Sequence, residues 1–176
     1  MALYQPLTLL DLVVYYKENQ QIKRIREVKC LHPYHSLHAD VKKSAIAMFI
    51  NEVLNKTVKE ESHAHGLYEF ISASLIELDN LETGYENFHL IFLVRLSRLL
   101  GFGAYAAQDV LAFRVTDTES EQKLALLLKS DITTKMSLSI AQRRMLLDIL
   151  LRFYMDHIDT LGEFKSVAVL KEVLSE

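Results

Sequence analysis

Cysteine and proline are scarce in this sequence, and each shortage limits what the chain can form. The single cysteine, Cys30, excludes an intramolecular disulfide and a zinc site built from cysteines. The two prolines, Pro6 and Pro33, are followed by 143 residues without another. Because proline breaks helix interiors, this absence permits a series of long helices after residue 33.

Long apolar runs and a strong net charge are also missing. The longest obvious apolar run, Leu90 to Val94, falls far short of the ~20 residues that span a bilayer. The N-terminus lacks the basic-then-apolar pattern of a secretion signal. Half of the residues are apolar and the net charge is −3, which is ordinary globular composition and does not by itself indicate a nucleic-acid partner. We therefore expect a soluble cytoplasmic protein with no membrane segment.

The first 31 residues have the pattern of strands. Residues 7–16 are rich in Leu, Val and Tyr, a polar break follows at residues 17–20, and apolar residues alternate loosely over 21–31. This pattern predicts a β-hairpin. An isolated hairpin is marginally stable in water, so it either lies on a helical body or belongs to a larger sheet.

After Pro33 the apolar period becomes helical, and the sequence predicts a mainly α fold of about six helices behind the hairpin. The segment from Phe88 to Leu100 is apolar on several sides, as expected of a central buried helix. Thr118 with Glu121, and Ser139 with Gln142, have the spacing of capping boxes that begin later helices. Gly101 should end the central helix, which makes residues 101–103 a helix terminus and not a phosphate loop.

One cluster could bind a metal. Cys30, His32, His35 and His38 supply four possible zinc ligands, but their spacing matches no common finger, and a histidine-rich surface connector explains them as well. His63 and His65 are a second, weaker candidate. No nucleophile motif or recognisable carboxylate pair is present, so we predict neither a catalytic site nor a cofactor.

The predicted second strand is basic. Its four cations stand beside Tyr15 and Tyr16 of the partner strand: Lys23, Arg24, Arg26 and Lys29. Cations neutralise phosphates and aromatic rings stack on bases, so this surface is suited to DNA. The alternative is a solvated strand face whose tyrosines pack on the helices.

Two arginines, Arg95 and Arg98, lie near the end of the apolar segment at 88–100. They could simply complement the negative end of the helix dipole. Alternatively, arginines beside apolar side chains could receive an acidic peptide tail.

An ordered set of short segments resembles the bacterial RecO family of recombination and repair proteins, particularly its Bacteroidetes-type members. These segments are Gln5–Leu10, His32–Tyr34, Lys43–Ala47, Glu52–Leu54, Asn87–Leu90, Arg95–Phe102 and Phe164–Ser166, with Val169 and Leu170. The resemblance implies an OB-fold followed by a helical domain. On this basis residues 1–31 would be the terminal strands of a truncated OB-fold and 32–176 the helical domain, with most of the barrel missing before residue 1.

The resemblance also implies a function. RecO-like proteins are recombination mediators in DNA repair that bind single- and double-stranded DNA and anneal complementary strands. They bind RecR and the acidic C-terminal tail of single-strand DNA-binding protein, and assist RecA loading in the bacterial cytoplasm, at the nucleoid. The family's zinc cysteines are absent here, so no metal site is implied.

For the tail pocket, we expect the carboxylate to meet a cation from among Arg95, Arg98 and Lys165, with Phe92 and Leu96 as possible walls. The DNA-binding candidates remain the four cations of the hairpin. The competing interpretation is a helical protein-interaction module that does not bind DNA in this truncated form. Seven acidic residues and no Lys or Arg between Glu60 and Val94 favour that alternative.

Overall fold

The N-terminal strands form an antiparallel hairpin in the computed structural model, which describes residues 3–18, 22–58, 66–112 and 116–175. Strand β1 spans Leu10–Tyr15 and strand β2 spans Arg24–Cys30. Leu10 pairs with Cys30 and Tyr15 with Arg24, and the register shifts between Val13 and Val14, so that Arg26 is the extra residue of a bulge. The hairpin prediction is therefore confirmed for these residues, whereas the predicted break at 19–20 and the strand start at Gln21 lie outside the described residues.

Seven α-helices follow within the described part of the chain, so the mainly α prediction is confirmed. They are α1 Val41–Thr57, α2 Leu67–Asn80, α3 Phe88–Leu99, α4 Ala107–Leu111, α5 Thr118–Lys129, α6 Ile140–His157 and α7 Ser166–Val173, with a 3₁₀ turn at Tyr85–Asn87. The helix that was not predicted is α4, because five residues are too few to display a helical period. None of the described helices has the length and apolar character needed to cross a membrane.

Helix α3 is the centre of the bundle. Every residue from Phe88 to Ser97 except Arg95 is buried, and α1, α2, α5 and α6 all pack against this helix. The hydroxyl of Tyr154 on α6 is fully buried and donates a hydrogen bond to the carbonyl of Leu93, 2.7 Å away. The predicted central buried helix is thus present, and the buried hydroxyl of Tyr154 has its hydrogen-bond acceptor on this helix.

The helix caps agree with the sequence in one of the two predicted places. Ser139 and Gln142 form the expected capping box at the start of α6. At α5 the prediction is wrong by one residue, since the cap is Asp117, whose carboxylate accepts the Ser120 N–H at 2.9 Å. Aspartate caps at least as well as threonine, and an acid one residue earlier was available.

Candidate functional site

The hairpin presents two different faces to its surroundings. Because strand side chains alternate, Tyr15, Arg24 and Lys29 project on one face, together with the acids Asp11 and Glu27. The opposite face is apolar and partly exposed: Leu10, Leu12, Val14, Ile25, Val28 and Cys30. The hairpin is therefore amphipathic, and its charged face mixes cations with an exposed tyrosine.

The two tyrosines are exposed and do not pack on the helices. Tyr15 is 54% exposed and Tyr16 is 74% exposed. The ammonium group of Lys23 lies 4.4 Å from the ring centroid of Tyr16, a cation–π contact at the open end of the hairpin. The Arg26 guanidinium lies 3.5 Å from the carboxylate of its neighbour Glu27, and both side chains are more than half exposed. All four predicted cations thus lie on or beside β2, three of them exposed and Lys23 half-buried.

A buried carboxylate fixes the connector between the hairpin and α1. The carboxylate of Asp79, at the end of α2, accepts hydrogen bonds from three consecutive backbone N–H groups at 2.7–2.9 Å, those of His35, Ser36 and Leu37. Burial would raise the pKa of Asp79, but these N–H donors outweigh it and hold the pKa below its usual range. The carboxylate is therefore charged and serves as the anchor of the connector.

The ammonium group of Lys43 completes this network. Lys43 is only 3% exposed, and its Nζ donates to Ser36 Oγ at 2.6 Å and to the Asp79 carbonyl at 2.7 Å. Its ammonium also lies 5.2 Å from the ring centroid of Tyr85. A buried ammonium is costly unless it is hydrogen-bonded, and here it has two oxygen acceptors. Sequence patterns did not reveal this network, because its members are 36 and 43 residues apart.

Arg95 and Arg98 contact the end of α5. Arg98 donates to the carbonyl of Leu128 at 2.5 Å and to that of Ala104 at 3.3 Å. Arg95 forms an ion pair with Asp131, in which the side chains are 34% and 72% exposed. Arg98 therefore satisfies carbonyl groups of two neighbouring segments, and Arg95 pairs with an acid just beyond α5. Part of the Arg95 side chain remains accessible.

The two suggested apolar walls need correction. Phe92 and Leu96 have no exposed surface, and Phe92 stacks on Phe70 with ring centroids 5.2 Å apart. Both side chains face the core of the bundle, because α3 is surrounded by other helices. A partner cannot touch them in this conformation.

Lys165 lies in a different environment from the arginines. It precedes α7, and its backbone N–H donates to the carboxylate of Glu52 on α1 at 2.9 Å, while its side chain is exposed. No contact within the described residues joins Lys165 to Arg95 or Arg98. The structure therefore does not assemble the three predicted cations into one site.

The histidine-rich connector forms a small cavity. Cys30, His32 and His38 line about 30 Å³ together with Tyr34. The described residues contain no group of three or more His, Cys, Asp or Glu side chains arranged to hold a metal ion. His63 and His65, the second metal candidate, lie outside the described residues.

Two open grooves were not found from the sequence. One, of about 310 Å³, lies between α1 and residues 5–7 and is lined by Met48 and Asn51 among others. The other, of about 380 Å³, lies between α4 and α5 beside Tyr105 and Lys129. The first joins segments about forty residues apart, so no local motif could have revealed it, and the second depends on how the consecutive helices α4 and α5 pack.

The fold and these surfaces define a mainly helical protein with a cationic, tyrosine-bearing hairpin. The family described as "Recombination protein O C terminal" matches residues 38–118. DNA repair protein RecO of Flavobacterium psychrophilum is 32% identical over 191 residues, covering 99% of this chain and 80% of the relative. That of Flavobacterium johnsoniae is 30% identical with the same coverage. That of Bacteroides fragilis is 40% identical over 100 residues, or 57% of this chain and 41% of the relative.

No solved structure matches the chain significantly. The two Flavobacterium relatives nevertheless align with nearly the whole sequence. The chain belongs to the RecO family of DNA repair proteins, and the resemblance in the sequence to Bacteroidetes-type members is confirmed.

Proposed function

We propose that the chain is a RecO-type recombination mediator that binds single- and double-stranded DNA and anneals complementary strands without a catalytic step. In this proposal it also binds RecR and the C-terminal tail of single-strand DNA-binding protein, and assists RecA loading in the cytoplasm, at the nucleoid. Residues 1–31 act as terminal strands of an OB-fold, and 32–176 act as the helical domain.

The observation that supports DNA binding is the exposed mixture of cations and tyrosines on the hairpin. Arg24 and Lys29 share a face with Tyr15, and Lys23 lies against Tyr16. Guanidinium and ammonium groups neutralise phosphates, and exposed rings offer bases a stacking surface. Since the acids Asp11 and Glu27 lie on the same face, the binding should be moderate and strongly dependent on salt.

The test compares two triple variants that each remove three positive charges. One replaces the hairpin cations Arg24, Arg26 and Lys29 by Gln; the other replaces the exposed body cations Lys129, Lys135 and Arg152. Each phosphate contact contributes about −0.7 to the slope of log affinity against log salt for single strands, so the hairpin variant should lose about 2 units of slope. The body variant should keep the slope and the annealing rate.

Equal losses in the two variants would show that total charge, and not the hairpin, governs binding. If the unmodified chain bound neither single nor double strands, the alternative of a helical interaction module without DNA binding would replace this proposal. Oligonucleotide anisotropy at several salt concentrations, combined with an annealing assay, distinguishes these outcomes.

For the protein tail, we propose binding beside Arg95 and Arg98, in the groove between α4 and α5. The Arg95–Asp131 pair is exposed, and exposed pairs contribute little stability, so a peptide carboxylate can displace Asp131. Arg98 lies 4.9 Å from the ring of Tyr105, which lines the groove. Lys165 remains a separate candidate at the start of α7.

The tail proposal is tested with a labelled acidic peptide that ends in Phe. Arg95→Gln should weaken binding about tenfold, because it removes one charge-assisted contact. The control, Arg152→Gln, removes an exposed arginine of α6 and should bind normally. Undiminished binding by Arg95→Gln would exclude this groove.

A further inference from the structure

The groove between α1 and the segment before β1 has an unusual lining. It encloses about 310 Å³, and its apolar wall consists of Pro6, Leu7 and Met48. Its polar lining consists of Gln5, His38, Ser44 and Asn51. None of the lining residues carries a carboxylate, ammonium or guanidinium group, so the groove is suited to a neutral group that is partly flat and partly polar.

The polar side chains of this groove have unused hydrogen-bonding capacity. Gln5, Ser44 and Asn51 make no side-chain hydrogen bond to any other described residue. The Asn55 amide, one turn further along α1, instead donates to the Asn51 backbone carbonyl at 2.9 Å. Two amides and a hydroxyl thus present donors and acceptors to whatever occupies the groove.

The groove wall is held in a strained backbone conformation. Leu7 has a φ of 64°, in the left-handed region that a branched side chain rarely adopts. Its carbonyl accepts a hydrogen bond from the hydroxyl of Tyr34 at 2.9 Å, which fixes the strained segment against the connector. Strain of this kind is found where a ligand-binding wall must be held in place.

The groove is continuous with the basic hairpin. Gln5 and His38 line both this groove and the small neighbouring cavity that Cys30 closes. Cys30 is the last residue of β2 and directly follows the exposed Lys29. Because the side chain of Cys30 lies on the apolar face, opposite Lys29, a strand whose phosphates meet the β2 cations would reach the groove by passing around the end of β2.

We propose that this groove receives a single unpaired nucleobase of a DNA strand bound along the hairpin. The base would lie against Pro6 and Met48, and its edge would hydrogen-bond to Asn51 and Gln5, as amide side chains do with base edges. This inference rests on the proposed DNA binding and specifies it: the site selects unpaired strands, since a paired base cannot enter a groove.

The experiment compares oligothymidylate with an abasic strand that has the same number of phosphates, at one salt concentration. The two strands share their ionic contacts, so the ratio of their affinities reports base contacts alone. The double variant Ser44→Leu with Asn51→Leu narrows the groove and removes two hydrogen-bonding groups. It should lose about tenfold in affinity for oligothymidylate and nothing for the abasic strand.

Asn55→Leu is the matched control, because it places the same side chain on the same face of α1, outside the groove, and should leave the ratio unchanged. Asn51→Leu alone provides a second variant should the double variant fail to fold, and it should lower the ratio by a smaller factor.

An unchanged ratio in the folded groove variants, or an equal loss for both strands, would overturn the nucleobase site while leaving hairpin binding intact. Absence of binding to either strand by the unmodified chain would overturn both proposals. A preference for oligothymidylate over the abasic strand that is lost only in the groove variants would support the site.

Discussion

Asp79 is the residue on which the attachment of the hairpin to the helical body depends. Its carboxylate accepts hydrogen bonds from three backbone N–H groups of the connector. Its backbone carbonyl accepts hydrogen bonds from the Lys43 ammonium and the Ser36 hydroxyl. Without the carboxylate, the buried N–H of Leu37 and the partly buried N–H groups of His35 and Ser36 would lose their acceptor. Such a network is stable because every polar group in it has a partner. Removing one member leaves its partner groups without these hydrogen bonds, which lowers stability.

We therefore expect Asp79→Ala to lower the free energy of unfolding by about 3 kcal/mol, because one buried and two partly buried N–H donors lose their acceptor. Urea unfolding followed by circular dichroism measures the change. Glu82→Ala, which removes an exposed carboxylate three residues away, should change stability by less than about 0.5 kcal/mol. Similar values for the two variants would contradict the role of the network.

A second prediction at the residue scale concerns His89 and the dependence of folding stability on pH. Burial, assisted by the nearby charge of Arg143, lowers the pKa of His89 to about 3. The folded state therefore holds a neutral imidazole, whereas the unfolded chain binds a proton below pH ~6.5. Stability contributed by this group is present above pH ~6.5 and is lost as pH falls towards 3, by about 1.4 kcal/mol between pH 7.5 and 5.5.

His89→Leu should remove this loss of stability on acidification, since no titrating group remains at the site. Urea unfolding at pH 7.5 and 5.5 measures the difference between the two pH values for each protein. The exposed His35, replaced in the same way, should leave the loss unchanged. If His89→Leu lost stability on acidification as the unmodified chain does, other groups would account for it.

At the scale of elements, the end of α3 shows how two neighbouring glycines serve different purposes. Gly101 has a φ of 89°, and the N–H groups of Gly101 and Phe102 donate to the carbonyls of Arg98 and Ser97, each at 3.1 Å. This is the glycine terminus that the sequence predicted. Gly103 instead lies against the backbone of α3, and a Cβ there would stand 2.5 Å from the Cα of Arg98.

Gly103→Ala should therefore be more damaging than Gly101→Ala. The first forces the 101–106 segment away from Arg98, at a cost of about 3 kcal/mol. The second strains one residue with no atom in its way, at about 1 kcal/mol. Thermal unfolding of the two variants gives the order, and a reversed order would contradict the close packing at Gly103.

Elements were predicted well from the sequence where a local signal exists. The helical apolar period after Pro33 predicted a helix where α1 lies, and Ser139 with Gln142 predicted the start of α6. The prediction for α5 was displaced by one residue, because Asp117 and Thr118 are both good caps and only the folded backbone selects between them. Helix α4 was missed because its five residues are stabilised by contacts with α5 and α6 and not by their own pattern.

At the scale of the whole molecule, the hairpin and the bundle should differ in stability. Both faces of the hairpin carry exposed residues, with Leu12, Val14 and Ile25 each 43–44% exposed. Helix α3, in contrast, is enclosed by other helices. Local opening should therefore be much easier in the strands than in the bundle.

Native-state hydrogen exchange should show this difference directly. Amides of β1 and β2 should exchange at least about a hundredfold faster than those of α3, because opening the hairpin exposes little buried surface. The amides of α1 provide an internal reference for the bundle. Protection of the strands equal to that of α3 would show that the two parts open together.

The sequence predicted some residues of the candidate surfaces and missed others, as it did for the elements of the fold. The sequence located the cations and tyrosines of the hairpin, because strand pairing places residues by a simple alternation. It misplaced Phe92 and Leu96, since an apolar helix near arginines gives no indication of which sides other helices will cover. It gave no sign of the groove at Asn51, whose walls come from segments about forty residues apart.

By itself, the sequence determined the helical class, the hairpin, several helix termini and membership of the RecO family, because each depends on local patterns or on ordered short segments. The tertiary structure decided which residues face a partner. It buried Phe92, committed Arg98 to the end of α5, enclosed Asp79 and Lys43 in one network, and opened a groove beside α1. These outcomes depend on contacts between distant segments, and burial and pairing there change what the same side chain can do.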